Sequence, residues 1–356
     1  MWHFWLHPLR GIAAICVIFL HCYWSWLFYD AVLIRKLYLV VDFFFVLSGF
    51  VISSGYSRRI DSSAGAMLFF GQRLRRLSFH YYVSGLVWFV ATVLFVSRDT
   101  DWLESAAQVI RYVSFLDVFF GTTSSHINPV AWSVMAEFWV YGLFALISLL
   151  LKSLRARLIV FTATGLTGLW LMGYGLPDLN VLYGGGAFLR ALTGFSVGAC
   201  CWLAMFGLER PKICSIGLAA LALAASVLVG TGATIDLLVI PLSAIVVVFF
   251  SRLPSPGSGA WSSFLRWLGD LSYPLYLWHF ILSVITSKLI VRFTSGETVI
   301  FHGEKFIVIP EWSGLGLCLL LVAVSIGWAC LAMWCEPRFW RKVMQFWPQN
   351  PSLSPR

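Results

Sequence analysis

The first apolar run of the chain carries two ionisable residues, Arg10 and His21, in the stretch LRGIAAICVIFLHCYW. In a helix, eleven residues make about three turns, so the two side chains lie on nearly the same face. A rise of ~1.5 Å per residue separates them by roughly 16 Å and puts His21 near the membrane midplane. An imidazole can act there as a general base or a nucleophile, although a structural hydrogen-bonding role is the alternative.

A carboxylate occupies another apolar segment, NPVAWSVMAEFWVYGLFALISLLLK. Glu137 falls in the outer half of this run, and Ser133 and Tyr141 stand four residues before and after it on the same helical face. Because a carboxylate in lipid is costly, we expect this face to point into the helix bundle. The residue types leave two roles open for Glu137: a functional one, or a structural pairing with an arginine or with His21.

Small residues mark the middle of the segment LYLVVDFFFVLSGFVISSGY. Ser48 and Gly49 fall level with His21 in the predicted span, and Asp42 lies about two turns further out. Small residues let either a helix or a ligand approach closely, and backbone groups here could also stabilise an oxyanion. Helix packing and ligand contact both remain open.

Two further candidate sites are basic and aromatic. In FGQRLRRLSFHYY, Arg73 and Arg76 are one helical turn apart, and Arg75 is predicted to point elsewhere. The pair is either a phosphate clamp or an ordinary cytoplasmic anchor. His279, in SYPLYLWH, has aromatic neighbours that could stack on a sugar, but a structural role is the preferred interpretation.

Composition places the chain in a membrane. The 356 residues are 60% hydrophobic and 12% charged, about half the charged fraction of an average soluble domain. The net charge of +9 does not indicate nucleic acid, because the basic residues form short clusters between apolar runs, as in cytoplasmic loops. The eight cysteines show no metal-ligand spacing, so no metal is expected.

Apolar runs predict an all-α polytopic protein with about ten transmembrane helices. With the N-terminus cytoplasmic, 17 of the 25 Lys and Arg residues fall inside, and an even number of spans puts the C-terminus inside too. We expect one transmembrane domain, 1–340, a short cytoplasmic tail, 341–356, and an interfacial amphipathic helix within 98–130. The predicted spans are 11–29, 37–57, 79–97, 131–151, 157–174, 186–207, 213–230, 235–251, 264–290 and 312–334.

Arranged by depth, these residues form a column with arginines at the cytoplasmic face, an imidazole in the middle and carboxylates further out. This column suits a phosphate-bearing donor that enters from inside and meets a hydroxyl acceptor from outside. It equally suits a proton relay through His21, Asp42 and Glu137 in a transporter or flippase of a glycan precursor. A non-catalytic scaffold is the third alternative.

The chain resembles the acyltransferase-3 family of bacterial integral-membrane acyltransferases in five segments, which occur in the order expected for the family. The first segment is a basic residue followed by ten others and a histidine, and the third is an RxxR element. The five are Arg10 to His21, Val41 to Phe50 (VDFFFVLSGF), Arg73 to Arg76, Trp132 to Tyr141 (WSVMAEFWVY) and Leu268 to His279 (LGDLSYPLYLWH).

The resemblance implies transfer of an acyl group, usually acetyl from acetyl-CoA, to a hydroxyl of a cell-surface or exported polysaccharide or lipid-linked glycan. It implies a multi-pass protein of the bacterial inner membrane. By position, His21 and Glu137 would be essential catalytic residues, and Arg10, Arg73 and Arg76 would contact the CoA phosphates. We expect substrate-binding or oxyanion roles for a further set: Asp42, Ser48, Gly49, Ser133, Tyr141 and His279.

The sequence departs from the family pattern in two places. Phe138 stands where many members have a second acidic residue after the motif glutamate. Some members also carry a C-terminal hydrolase-like domain, which is not recognisable here. The protein is therefore expected either to act alone or to work with a separate periplasmic partner.

Overall fold

The structure, a computed structural model, describes residues 3–95, 102–120, 127–175, 184–207, 234–294, 297–301 and 304–346. It consists of helices and one antiparallel hairpin, β1 (Thr298–Phe301) and β2 (Glu304–Ile307). The helices are α1 (Leu6–Leu20), α2 (Val32–Arg35), α3 (Val40–Tyr56), α4 (Ser63–Phe95), α5 (Trp102–Val113), α6 (Asp117–Phe120), α7 (Trp132–Leu150), α8 (Leu154–Gly175), α9 (Gly184–Trp202), α10 (Thr234–Leu237), α11 (Val239–Arg252), α12 (Ala260–Phe293) and α13 (Glu311–Phe346).

Six described segments are long and apolar enough to cross a membrane, and α1 and α11 are shorter apolar helices. The predicted all-α membrane architecture is therefore confirmed. The number of ten spans and the cytoplasmic position of both termini stay predictions, and the predicted span 213–230 lies outside the described residues. The predicted amphipathic helix corresponds to α5, where Leu103 and Ile110 are exposed apolar residues.

The first predicted span, 11–29, is wrong at its C-terminal end, because α1 stops at Leu20. The chain then turns away from the helix and pairs with the hairpin. The Ser25 amide donates to the carbonyl of Ile307 at 2.9 Å, and the Ile307 amide donates to the carbonyl of Tyr23 at 3.0 Å. These bonds satisfy backbone groups outside a helix, so His21 lies at the end of α1 rather than halfway along a span.

Two other helices are longer than their apolar runs. Helix α4 begins at Ser63 instead of 79, which places the RxxR element within a helix. Helix α13 runs on to Phe346, past the predicted end of span ten at 334. Hydropathy marks the lipid-embedded part of a helix, whereas backbone hydrogen bonding continues into the polar flanks.

Close backbone contacts join the helices that carry the candidate residues. A Cβ added to Gly11 of α1 would lie 2.1 Å from the carbonyl oxygen of Leu268 in α12. A Cβ added to Gly49 of α3 would lie 1.9 Å from the carbonyl oxygen of Phe195 in α9. Only glycine permits such an approach, so each helix pair is packed backbone against backbone.

Candidate active site

The centre of the site is a pair of histidines from α1 and α12. His21 Nδ1 lies 3.1 Å from His279 Nε2, and the two ring centroids are 4.9 Å apart. His279 is completely buried, whereas His21 is half-buried. Ser283 Oγ, one turn further along α12, donates a hydrogen bond to the backbone carbonyl of His21. The edge of the Phe280 ring packs against His21 with centroids 5.1 Å apart.

Parallel packing of α1 and α12 brings these histidines together. Near the start of the helices, Gly11 of α1 contacts Leu268 of α12, and further along both helices His21 contacts His279. The contacts advance in the same direction on both helices, so α1 and α12 run parallel. The pair is thus held by a helix interface as well as by its own hydrogen bond.

A small polar chamber, about 50 Å³ in volume, lies among α1, α3, α7 and α12. Ser48 Oγ donates to Glu137 Oε1 at 2.5 Å, and Tyr141 Oη donates to the same oxygen at 2.6 Å. Arg10 lines the chamber, and its Nε is buried without a hydrogen-bond partner in the part of the chain that the structure describes. The chamber has room for a few water molecules.

The RxxR element opens onto a larger pocket of about 580 Å³ between α4 and the last turns of α13. Its lining contains four arginines, one tryptophan and one carboxylate. The guanidinium carbon of Arg75 lies 5.6 Å from the centre of the Trp340 ring, and Arg73 Nη2 donates to Tyr56 Oη at 3.0 Å. The lining residues are Gln72, Arg73, Arg75, Arg76, Glu336, Pro337, Trp340 and Arg341. Such a cluster of guanidinium groups suits a phosphate-bearing ligand.

The structure corrects the predicted positions of two arginines and gives the hydrogen-bond partners of Glu137. Arg75 was predicted to point away from Arg73 and Arg76, but it lines the same pocket because that pocket extends towards α13. Arg10 does not line this pocket; it lies in the chamber with Glu137. The hydrogen bonds of Glu137 go to Ser48 and Tyr141, whereas the ring of His21 is hydrogen-bonded to Val17 and His279.

Three further predicted residues have packing or pairing roles. Asp42 Oδ2 lies 2.7 Å from Arg190 Nη2, and both side chains are completely or almost completely buried. Gly49 packs against the backbone of α9, which supports helix contact as its role. Ser133 Oγ donates to Tyr276 Oη at 2.8 Å, and both residues line the chamber.

Sequence reasoning missed the contact between the two histidines, although a pattern for it exists. Gly11 and His21 are separated by nine residues, and so are Gly269 and His279. Two parallel helices that meet at their glycines then bring their histidines to the same level. Arg190 was missed because Asp42, with which it pairs, lies 148 residues away in the chain. Trp340 and Arg341 were missed because the arginines that share their pocket lie on a helix far away in the sequence.

The fold and the site define a helical integral-membrane protein that combines acid–base groups with a basic pocket. The chain belongs to the acyltransferase 3 family, whose acyltransferase domain matches residues 3–334. It is similar to "Putative membrane-bound transacylase BcsY" from Komagataeibacter xylinus, with 26% identity over 306 residues, 79% of this chain and 73% of that protein. No solved structure gives a significant match. The predicted family and acyl transfer as the reaction class are thereby confirmed.

Proposed function

We propose that this membrane acyltransferase moves a short acyl group, in the first instance acetyl, from cytoplasmic acyl-CoA to a hydroxyl of a cell-surface or lipid-linked glycan. The proposed site of action is the bacterial inner membrane. The observation that carries the proposal is the arrangement of an arginine-rich pocket, a polar chamber and a half-buried imidazole along one group of helices. The name of the Komagataeibacter relative, a transacylase, supports the reaction class.

The donor would bind with its phosphates in the arginine pocket. Arg73 and Arg76 supply planar guanidinium donors, and Arg75 and Arg341 add positive charge to the same walls. The pantetheine arm would then point towards the chamber, where Arg10, Ser48 and Glu137 offer donors and acceptors for its amide groups. Tyr276 links the chamber to the histidines, since its ring centroid lies 5.9 Å from that of His279.

His21 is the proposed general base. Its Nε2 takes the proton of the acceptor hydroxyl while the hydroxyl oxygen bonds to the thioester carbonyl carbon. The carbon–sulfur bond then breaks, and the departing CoA thiolate takes the proton from Nε2, which returns His21 to its neutral form. In the alternative, His21 itself accepts the acyl group. Mixing enzyme and acetyl-CoA without acceptor tests it, since a covalent intermediate would give a burst of CoA release equal to the amount of enzyme.

The transporter alternative has less support. A proton relay through His21, Asp42 and Glu137 needs hydrogen bonds that connect these groups. Asp42 instead pairs with Arg190. Glu137 is hydrogen-bonded to Ser48 and His21 to His279, so the two groups have no hydrogen-bond partner in common within the part of the chain that the structure describes. No observation among the described residues favours that alternative over acyl transfer.

Membranes that contain the protein, supplied with acetyl-CoA labelled in the acetyl group, test the proposal. We expect CoA release and label in a glycan fraction with the wild type, and neither with His21→Ala, while both variants bind acetyl-CoA. If His21→Ala transferred the acetyl group as fast as the wild type, the imidazole of His21 would not be the general base. A wild type that neither binds nor consumes acetyl-CoA would refute the donor assignment, and the labelled fraction identifies the acceptor.

A further inference from the structure

The hydrogen bonds around His279 and His21 allow one arrangement of protons. His279 Nδ1 lies 2.7 Å from the carbonyl oxygen of Tyr276, and a carbonyl only accepts, so Nδ1 carries the proton. In the neutral ring, His279 Nε2 is then an acceptor. His21 Nδ1 lies 2.9 Å from the carbonyl oxygen of Val17, so this nitrogen is also protonated. The proton on His21 Nδ1 is shared between the carbonyl oxygen of Val17 and His279 Nε2.

This arrangement leaves His21 Nε2 with a lone pair. Within the described ranges, the hydrogen bonds of the His21 ring all involve Nδ1. A general base needs an unprotonated nitrogen that faces its substrate, and Nε2 meets the first condition. When Nε2 takes a proton, the ring becomes an imidazolium, and its Nδ1–H bond to His279 becomes charge-assisted and therefore stronger.

We propose that His279 is a positioning residue for acyl transfer. It accepts a hydrogen bond from His21 Nδ1, orients the ring together with the Val17 carbonyl and stabilises the imidazolium that forms in the transition state. The inference rests on the proposed role of His21 as the base. In hydrolases with a serine nucleophile a carboxylate does this work. Here a neutral imidazole does it, held by the backbone of α12 and by the α1–α12 interface.

Three substitutions separate the hydrogen bond from the packing. His279→Gln places a side-chain amide oxygen near the position of Nε2, where it can still accept from His21. His279→Asn keeps a polar group near Nδ1 but is too short to reach His21, and His279→Leu fills a similar space without any acceptor. Ile285→Leu is the control, because Ile285 lies further along the same helix but is exposed.

The first readout is CoA release from acetyl-CoA by the full chain in membranes. We expect kcat to fall about 10- to 100-fold for His279→Asn and His279→Leu, the effect of losing a charge-assisted hydrogen bond in the transition state. The KM for acetyl-CoA should stay at its wild-type value, because the donor phosphates bind elsewhere. His279→Gln should keep most of kcat, and Ile285→Leu should match the wild type. Equal losses for Gln, Asn and Leu would overturn the proposal in favour of packing.

The second readout does not depend on acyl transfer. Diethyl pyrocarbonate modifies an unprotonated imidazole nitrogen, and mass spectrometry gives the rate at His21. We expect fast modification in the wild type and His279→Gln, and slower modification in His279→Asn and His279→Leu, because a side-chain acceptor at Nδ1–H makes Nε2 more nucleophilic. Equal rates in all four proteins would show that His279 does not set the state of His21. If the wild type neither binds nor consumes acetyl-CoA, the proposed function fails, but the modification rate still shows whether His279 sets the state of His21.

Discussion

Gly11 on α1 precedes His21 by the same number of residues as Gly269 on α12 precedes His279. Each glycine packs directly against the opposite helix. A Cβ at Gly11 would lie 2.1 Å from the carbonyl oxygen of Leu268, and one at Gly269 would lie 2.3 Å from the ring of His7. About 15 Å further along both helices, His21 and His279 come within hydrogen-bond distance. The glycines therefore set the separation of the two imidazoles.

Gly11→Ala should move α1 away from α12, because the added Cβ meets backbone atoms that cannot rotate aside. We expect a loss of about 1–3 kcal/mol in stability, the range for overpacked sites, together with a lower kcat. Thermal unfolding in detergent and CoA release measure the two effects. Gly327→Ala on α13 is the control, since nothing lies within 4 Å of its added Cβ, and it should behave like the wild type. Identical behaviour of the two variants would contradict the role of the interface.

Arg76→Ala should weaken the binding of acetyl-CoA by about 1.5–3 kcal/mol, the cost of one lost hydrogen bond to a charged group. The loss should shrink as salt is added, because ions screen interactions with phosphate. Equilibrium binding of acetyl-CoA to the purified protein measures the change. Arg155→Ala, an exposed arginine at the start of α8 and outside the pocket, is the control for net charge. Unchanged affinity in an Arg73/Arg76 double variant would exclude the phosphate site.

Trp340→Ala should remove a stacking surface for the adenine ring of the donor. A stacked base contributes about 1–3 kcal/mol in nucleic-acid complexes, so we expect KM for acetyl-CoA to rise with little change in kcat. Acetyl-pantetheine has no adenine, and its turnover should be the same in the variant and the wild type. Trp334→Ala, which removes an exposed tryptophan from the same helix outside the pocket, controls for general effects on α13. Equal losses with both donors would indicate that Trp340 supports the fold instead.

Asp42 and Arg190 should contribute to folding rather than to proton transfer. Asp42→Ala removes the carboxylate that faces a buried guanidinium, which typically costs about 3–5 kcal/mol. Replacing both partners, as in Asp42→Leu with Arg190→Met, should destabilise the protein less than Asp42→Ala alone. Thermal unfolding tests this order, and kcat per folded molecule of Asp42→Asn should equal that of the wild type. A stable Asp42→Asn protein without activity would instead favour a proton relay.

The membrane class, most of the apolar segments and the side chains able to do acid–base or phosphate-binding chemistry can be predicted from the amino-acid sequence alone. These properties depend on local composition and on helical periodicity, which need no knowledge of neighbouring helices. The pairing of Glu137 with Tyr141 belongs to the same category, because residues four apart on a helix are adjacent. The family resemblance also followed from short segments that can be read one at a time.

The tertiary structure decided which of these groups meet. His21 and His279 are 258 residues apart in the chain, and Arg75 and Trp340 are similarly distant, so local periodicity carries no information about their contact. The end of α1 at Leu20 depends on a hairpin almost three hundred residues later. The physical reason is that the register between two helices is set by close packing along their whole interface, as at Gly11 and Gly269. A helix fixes the direction and depth of a side chain, but only that packing determines its partner.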